Sequence, residues 1–438
     1  MADNSLSSAA NFLYDLRGPM QANYPKDHVL LAEFSGVGNS DPSIGRVTPN
    51  SSGQIERDNR DVFSGSQFRF PIDLNMLQAG GFVSETGTIN VPIAASTSKA
   101  TGNLVRVVQP ASITIDLEED SMDNSSIQAL AWLTKKTREA MAEIVNDAMN
   151  TSSGTTGLAA ADSTQASAGG LTLKVKAGTD FDKLYPGKVV DVLTASSGAD
   201  PGQGKRRKIA SISETASPPT ITFDTASQAS DGGSGNITLS NAVGVFISGS
   251  YGNQMVGIED AANISGTDTF EGVVRSTTPQ FIATDGRNGT TTTAPLSDAM
   301  LDAGVALGLR AGYSNWDFGV GDGNAINVYK NGKASLVRVQ PDVKVLPSGF
   351  SGVAYQGTGK DIPLIPERKH NSGQVKLIVR DAALIYGRQK GPDFEDSTGA
   401  IFQRFSRALP KELWLVDRLQ WAWKAPQSIV RYDNLATS

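Results

Sequence analysis

Residues 124–150 read NSSIQALAWLTKKTREAMAEIVNDAMN, and this stretch decides how the rest of the chain is read. It carries a sustained helical period. Ile127, Leu130, Leu133, Thr137, Met141, Ile144 and Ala148 recur every three or four residues. Ser125 and Gln128 fit a capping box at its start. Lys135, Lys136, Glu139, Glu143 and Asp147 fall largely on the other side, which predicts a solvated polar face. Lys135 and Glu139 stand four apart and can pair across one turn. About 25 residues of helix would be ~37 Å long. The acidic residues Glu118, Glu119, Asp120 and Asp123 precede it and suit the positive end of the helix dipole. They lack the alternating spacing of a calcium loop.

Upstream, residues 104–122 read as a strand pair, with Val105 and Val107 followed by Ile113, Ile115 and Leu117. Before that comes a long ribbon. In SQFRFPIDLNM, Phe68, Phe70, Ile72 and Leu74 alternate with Arg69, Pro71 and Asp73, the period of a strand with an edge-type proline. QAGGFVSETG follows as a turn. TINVPIAAS then alternates Ile89, Val91 and Ile93, again with a proline. Two such strands make a long hairpin, which is marginal in water unless a neighbouring surface covers it. Residues 1–35 hold scattered apolar anchors, among them Phe12, Tyr14, Leu30 and Phe34, broken by Pro19 and Pro25. A segment of this kind must lie on something else.

Downstream, residues 151–170 form a small-residue linker. Residues 171–248 give short strands separated by Pro-Gly and Gly-Gly turns, a small all-β barrel or sandwich inserted into the chain. Residues 297–309 read as an apolar helix. GVGDG, with Gly319, Gly321 and Gly323, reads as a tight turn before a strand at 326–329, and 324–346 and 374–380 read as further strands. The chain closes on ELWLVDRLQWAWKAP, a long strand with Trp414, Trp421 and Trp423, ended by Pro426.

The 438 residues exceed one ordinary core, and 45 Gly with 20 Pro point to turns and β structure. There is no Cys, which removes disulfides, thiolate metal sites and cysteine nucleophiles. Of the two His, His28 reads as a surface contact and His370 as a solvated turn residue. No Walker A, G-x-S-x-G or H-E-x-x-H motif is present. These readings imply no enzyme activity, catalytic residue, metal or cofactor. The net charge of −6 argues against a dedicated nucleic-acid binder. Lys205, Arg206, Arg207 and Lys208 form the one strong basic run, a candidate contact patch. Alternation in a hairpin would solvate two of the four on each face. No window has the apolar length of a membrane-spanning helix, and no signal peptide is visible at the start.

The order of these parts resembles the major capsid protein of tailed bacteriophages. In that family residues 1–35 would be the N-terminal arm and 36–103 the extended β-hairpin loop. Residues 104–150 would supply a peripheral-domain strand and the long spine helix, with 151–170 a linker. SYGNQMVGIED and GTDTFEGVVRSTTPQF resemble re-entry into the main fold. VKLIVRDAALIYGR and the C-terminal tryptophan strand resemble its closing strands. The resemblance implies an α+β fold, with 249–438 forming the axial domain and the remaining peripheral strands. The β module at 171–248 departs from the minimal pattern.

The family reading implies a shell subunit that assembles into hexamers and pentamers of an icosahedral capsid around double-stranded DNA, bound non-specifically. Its partners would be copies of itself and a portal protein, with roles open for a separate scaffold protein and a decoration protein. Its place would be the virion, after assembly in the host cytoplasm. Phe12, Tyr14, Leu30, Phe34, Phe68, Phe70, Ile72, Ile89 and Val91 are then the inter-subunit contact candidates, because apolar ribbons need a neighbour's surface. Two other readings stand beside it: an encapsulin-like compartment shell and a β-rich carboxylate hydrolase. A tail or adhesion protein fits less well, since the long helix and mixed body count against it.

Overall fold

The computed structural model describes residues 28–35, 47–49, 55–57, 60–62, 65–73, 97–113, 129–152, 157–176, 179–227, 235–313, 315–336, 343–345, 351–356, 361–388, 393–395 and 411–437.

One strand organises half of the body. Lys411–Trp423 alternates Leu413, Leu415, Leu419, Trp421 and Trp423 into the interior. On one edge it pairs antiparallel with Val105–Ile113, from Lys411 opposite Ile113 to Leu419 opposite Val105. On the other it pairs with Ala383–Gly387 and Asp393–Phe394. Arg60–Val62 adds a parallel strand beside Ala383–Gly387. Val105–Ile113 is one continuous strand, because a 13-residue partner holds all nine of its residues in a single register; Ile115 and Leu117, the rest of the expected pair, lie outside the described residues. Residues beyond 113 lie outside the described set.

The helix Ala129–Met149 lies on this sheet and buries Leu133, Thr137, Met141, Ala142, Val145, Ala148 and Met149. The expected capping box and the acidic cluster before it fall outside the described residues. Its polar side departs from expectation: Glu143 and Asp147 are buried. Among the described residues no helix is long and apolar enough to cross a membrane.

A second, seven-stranded sheet runs in the order Thr284–Asp285, Val430–Tyr432, Val375–Ile378, Phe318–Gly321, Asp361–Pro366, Ser351–Gln356, Val343–Val345. The helix Asp298–Arg310 packs on it, with the Ser297 hydroxyl accepting from Met300 N at 3.3 Å. Gly323–Leu336 is also a helix, where the sequence reading had a turn and a strand. Asp322 ends the strand Phe318–Gly321, and its side chain accepts from Asn324 N at 2.9 Å. Ala325, Ile326 and Tyr329, all buried, then share one helix face. The three glycines are therefore a strand-to-helix passage.

The β module is a six-stranded antiparallel sheet in the order Ala159–Ala160, Val243–Ile247, Val189–Thr194, Arg207–Ser213, Thr220–Ser227, Thr172–Lys174. Ala168–Gly170 pairs with Ile237–Leu239. Strands therefore begin inside the stretch expected to be a linker. The module's apolar residues join those of the long helix and the tryptophan strand in one continuous core.

Candidate functional site

The segments singled out as assembly contacts can be followed from their roots. Gln67–Asp73 pairs antiparallel with Thr97–Asn103, from Gln67 opposite Asn103 to Asp73 opposite Thr97. The described part of the returning leg is Thr97–Asn103, and the expected strand at 88–96 lies outside the described residues. Phe68, Phe70, Ile72 and Ala100 are buried, while Gln67, Arg69, Pro71 and Lys99 face out. Phe68 stacks on Tyr386 with ring centroids 4.5 Å apart, and on Phe70 at 6.2 Å. Opposite Phe68 stands Gly102, where an added Cβ would lie 2.2 Å from the Phe68 ring.

The hairpin root is fastened by a tight turn. Thr269–Phe270 and Val273–Val274 are joined by Glu271 and Gly272 with φ of 50° and 76°. The Glu271 carbonyl accepts from Thr101 N at 2.8 Å, and its Oε1 from Trp423 N at 2.9 Å. Burial pushes the Glu271 carboxyl up to about 8.

The arm ends on a short helix, Val29–Ser35. Val29, Leu30, Leu31 and Phe34 are buried. The Phe34 ring centroid lies 4.9 Å from that of Trp421, 5.9 Å from Trp423 and 6.1 Å from Phe318. Val29 N donates to Glu367 Oε2 at 2.8 Å, and Glu33 pairs with Arg380. Burial pushes Glu367 up to about 7.

Leu30, Phe34, Phe68, Phe70 and Ile72 are buried within their own chain, where the sequence reading had them as contacts with a neighbour. The tryptophan strand covers Phe34, and Tyr386 on the neighbouring strand Ala383–Gly387 covers Phe68. Phe12, Tyr14, Ile89 and Val91 lie outside the described residues.

The module meets the body through buried charge. Lys188 Nζ lies 2.6 Å from Asp147 Oδ2, Lys369 Nζ 2.6 Å from Asp147 Oδ1, and Lys369 also pairs with Glu143. His28 Nε2 stands 3.7 Å from Glu143. Burial penalises the Asp147 charge, but Lys188 and Lys369 more than offset it and hold the carboxyl below its usual range. Glu143, buried beside Asp147, is pushed up. Alongside, Lys376 Nζ lies 2.6 Å from Glu259 Oε1 and 2.9 Å from His370 Nε2. Burial first, and then Lys376, drive His370 well below its usual value. His370 is 2% exposed, so the turn expected to be solvated is interior. No sequence signal gave these ion pairs, because their partners lie 41 to 226 residues apart.

The basic run divides. Lys205, Arg206 and Lys208 are exposed, and Lys208 lies 3.7 Å from Asp224. Arg207 is fully buried and donates to the carbonyls of Gln203 at 2.6 Å, Asp224 at 3.1 Å, Thr225 at 2.7 Å and Gly235. The expected two-and-two alternation fails because the run straddles a turn, with Arg206 at φ 47°, and a register shift after Arg207. Among the described residues no group of His, Asp and Glu could hold a metal ion.

No family model matches this chain, and no curated protein matches it. Solved structures do. The cyanophage A-1(L) capsid asymmetric unit aligns over 96% of this chain and 96% of its own, at 12% identity and a TM-score of 0.52. The capsid of an empty GTA particle aligns over 99% of each chain at 10% identity and 0.45. The holo-SrpI encapsulin complex from Synechococcus elongatus PCC 7942 aligns over 87% and 86% at 10% identity and 0.41. The first of these shows the fold. This chain has the major capsid protein fold of tailed phages, an α+β architecture that carries here a six-stranded β module.

Proposed function

We propose that the chain is the major capsid protein of a tailed bacteriophage, a structural subunit with no catalytic step. Copies assemble into hexamers and pentamers of an icosahedral shell that encloses double-stranded DNA. The observation that carries this reading is a capsid fold shared over 96% of both chains. The internal geometry supports it. The arm and hairpin roots are docked, so the inter-subunit work falls to residues 1–27 and 74–96, with Phe12, Tyr14, Ile89 and Val91 as the anchors. Head-to-tail contacts of that kind close into rings.

The net charge of −6 suits a container that holds DNA without gripping it. Lys205, Arg206 and Lys208 remain a contact patch on the module, three cations instead of four. A portal protein, a scaffold protein and a decoration protein are the partners such a shell uses, and the virion is its destination. Electron microscopy of the purified full chain tests the proposal. Uniform shells or capsomer rings are expected; a monomer that stays monomeric at high concentration contradicts it. Shells that enclose protein and exclude DNA would favour a compartment instead.

A further inference from the structure

One surface turn places a carboxylate against a reactive backbone amide. The strand Thr284–Asp285 ends the seven-stranded sheet and runs parallel to Val430–Tyr432. After it the chain reverses from Arg287 to Thr290, with Thr290 N donating to Arg287 O at 3.1 Å. The two central residues, Asn288 and Gly289, have φ of 49° and 78°, the paired left-handed angles of a type I′ turn. Both are exposed, and a Cβ added to Gly289 would meet nothing within 4 Å. Asp285 reaches across the turn: its Oδ1 accepts from Arg287 N at 2.9 Å and its Oδ2 from Gly289 N at 2.5 Å. Arg287, buried at the base, donates to the carbonyls of Asp433 at 2.9 Å, Asn434 at 2.7 Å and Thr292 at 2.6 Å. The sequence holds one other Asn-Gly pair, Asn331-Gly332. That pair is also exposed, but it lies inside the helix Gly323–Leu336, whose backbone is fixed.

We propose that Asn288 is a self-modification site, converted by its own turn to aspartate and isoaspartate with Asp285 as the base. Asp285 Oδ2 takes the Gly289 N–H proton as that nitrogen attacks Asn288 Cγ. The new N–C bond forms, the Cγ–Nδ2 bond breaks, and the proton passes from Asp285 to the departing nitrogen, so one ammonia leaves. The cyclic imide that remains is exposed to solvent. Water adds to one of its two carbonyl carbons and breaks that carbon's bond to nitrogen, giving aspartate or isoaspartate. Nothing is oxidised or reduced. Nucleophile and amide are chain neighbours, glycine puts no side chain in the way, and the base already holds the proton to be moved. Each converted copy gains one negative charge over the −6 of the sequence. Isoaspartate also lengthens the backbone of the turn that Arg287 ties to the C-terminal strand.

The competing reading is that Asp285 only caps the turn. Peptide mapping of the folded full chain, aged in heavy-oxygen water, separates the two. The Asn288 peptide is expected to exchange NH for one heavy oxygen and to split into aspartate and isoaspartate forms, while the Asn331 peptide stays intact. An unchanged Asn288 peptide overturns the proposal, as does conversion at Asn331 at the same rate. Asp285→Ser keeps an acceptor for the turn and creates no new Asn-Gly pair; it should slow conversion about 100-fold. The wild-type pH profile checks the base without any variant. A carboxylate base gives a flat rate across neutral pH, whereas attack driven by hydroxide climbs about tenfold per pH unit. A climbing profile, or an unchanged rate in Asp285→Ser, overturns the role given to Asp285. Particle formation is a separate readout, so failure here leaves the shell assignment untouched.

Discussion

The arm and hairpin roots and the β module are all additions to a two-sheet body, yet they are fastened by opposite means. The roots are held mainly by aromatic rings: Phe34 against Trp421 and Trp423, Phe68 against Tyr386. The module shares the apolar core, but its polar seam is a set of buried ions centred on Asp147. Apolar contact tolerates imperfect geometry and ignores salt. A buried ion pair stands only while every partner is present, because a lone buried charge cannot be resolvated. The two kinds of attachment should therefore fail differently.

The largest effect is expected at Asp147. Asp147→Ala strands Lys188 without its counter-charge, leaves Lys369 with Glu143 alone, and should cost about 3–5 kcal/mol in chemical denaturation. Phe34→Ala should cost about 3 kcal/mol by emptying the ring pocket against both tryptophans, with little dependence on pH or salt. Equal pH sensitivity in the two variants would erase the contrast.

The pH profile sharpens the comparison further. Asp147 and Glu259 sit below their usual range, so their share of stability is present above it and is lost as pH falls through their lowered values. Glu271 and Glu367 act in the other direction. Their share is present below the ordinary value of 4.5 and is lost as pH rises toward about 8 and about 7. The share of stability carried by these four carboxyls should therefore peak near pH ~4.5 and decline on both sides. Glu271→Gln keeps the acceptor for Trp423 N and should flatten the alkaline side, with a gain of about 1–2 kcal/mol at pH 8. An unchanged slope in that variant would show that the carboxyl does not titrate there. The smallest effect is expected at the module surface. Lys205→Ala should change stability by less than about 0.5 kcal/mol, whereas Arg207→Ala should disrupt the module.

Much of this fold was legible in the sequence. The helical period at 127–148, the alternation at 68–72 and the tryptophan strand are local patterns, and local patterns survive folding. The strands of the β module were legible for the same reason, from the turn residues between them. What escaped was whatever depends on a distant partner. Glu143 and Asp147 look like a solvated face until Lys188 and Lys369 arrive from far along the chain. His370 looks like a polar turn until a sheet closes over it. The helix Gly323–Leu336 was hidden by Gly323, Asn324 and Gly332, all weak helix formers, although the spacing of Ala325, Ile326 and Tyr329 carried the signal. The arm and hairpin roots were recognised as apolar ribbons in need of a surface, but their partners, Tyr386 for Phe68 and the tryptophan strand for Phe34, lie some 320 to 390 residues away in sequence, a pairing no local pattern announces.

We propose that assembly is carried by residues beyond the docked roots. The direct measurement is the mass distribution of particles formed by the full chain and by a chain lacking residues 1–27, with Val29–Ser35 kept in place. Closed shells or rings are expected from the full chain, and from the shortened one a folded subunit of unchanged stability that forms neither. Shells of normal size from the shortened chain would contradict it.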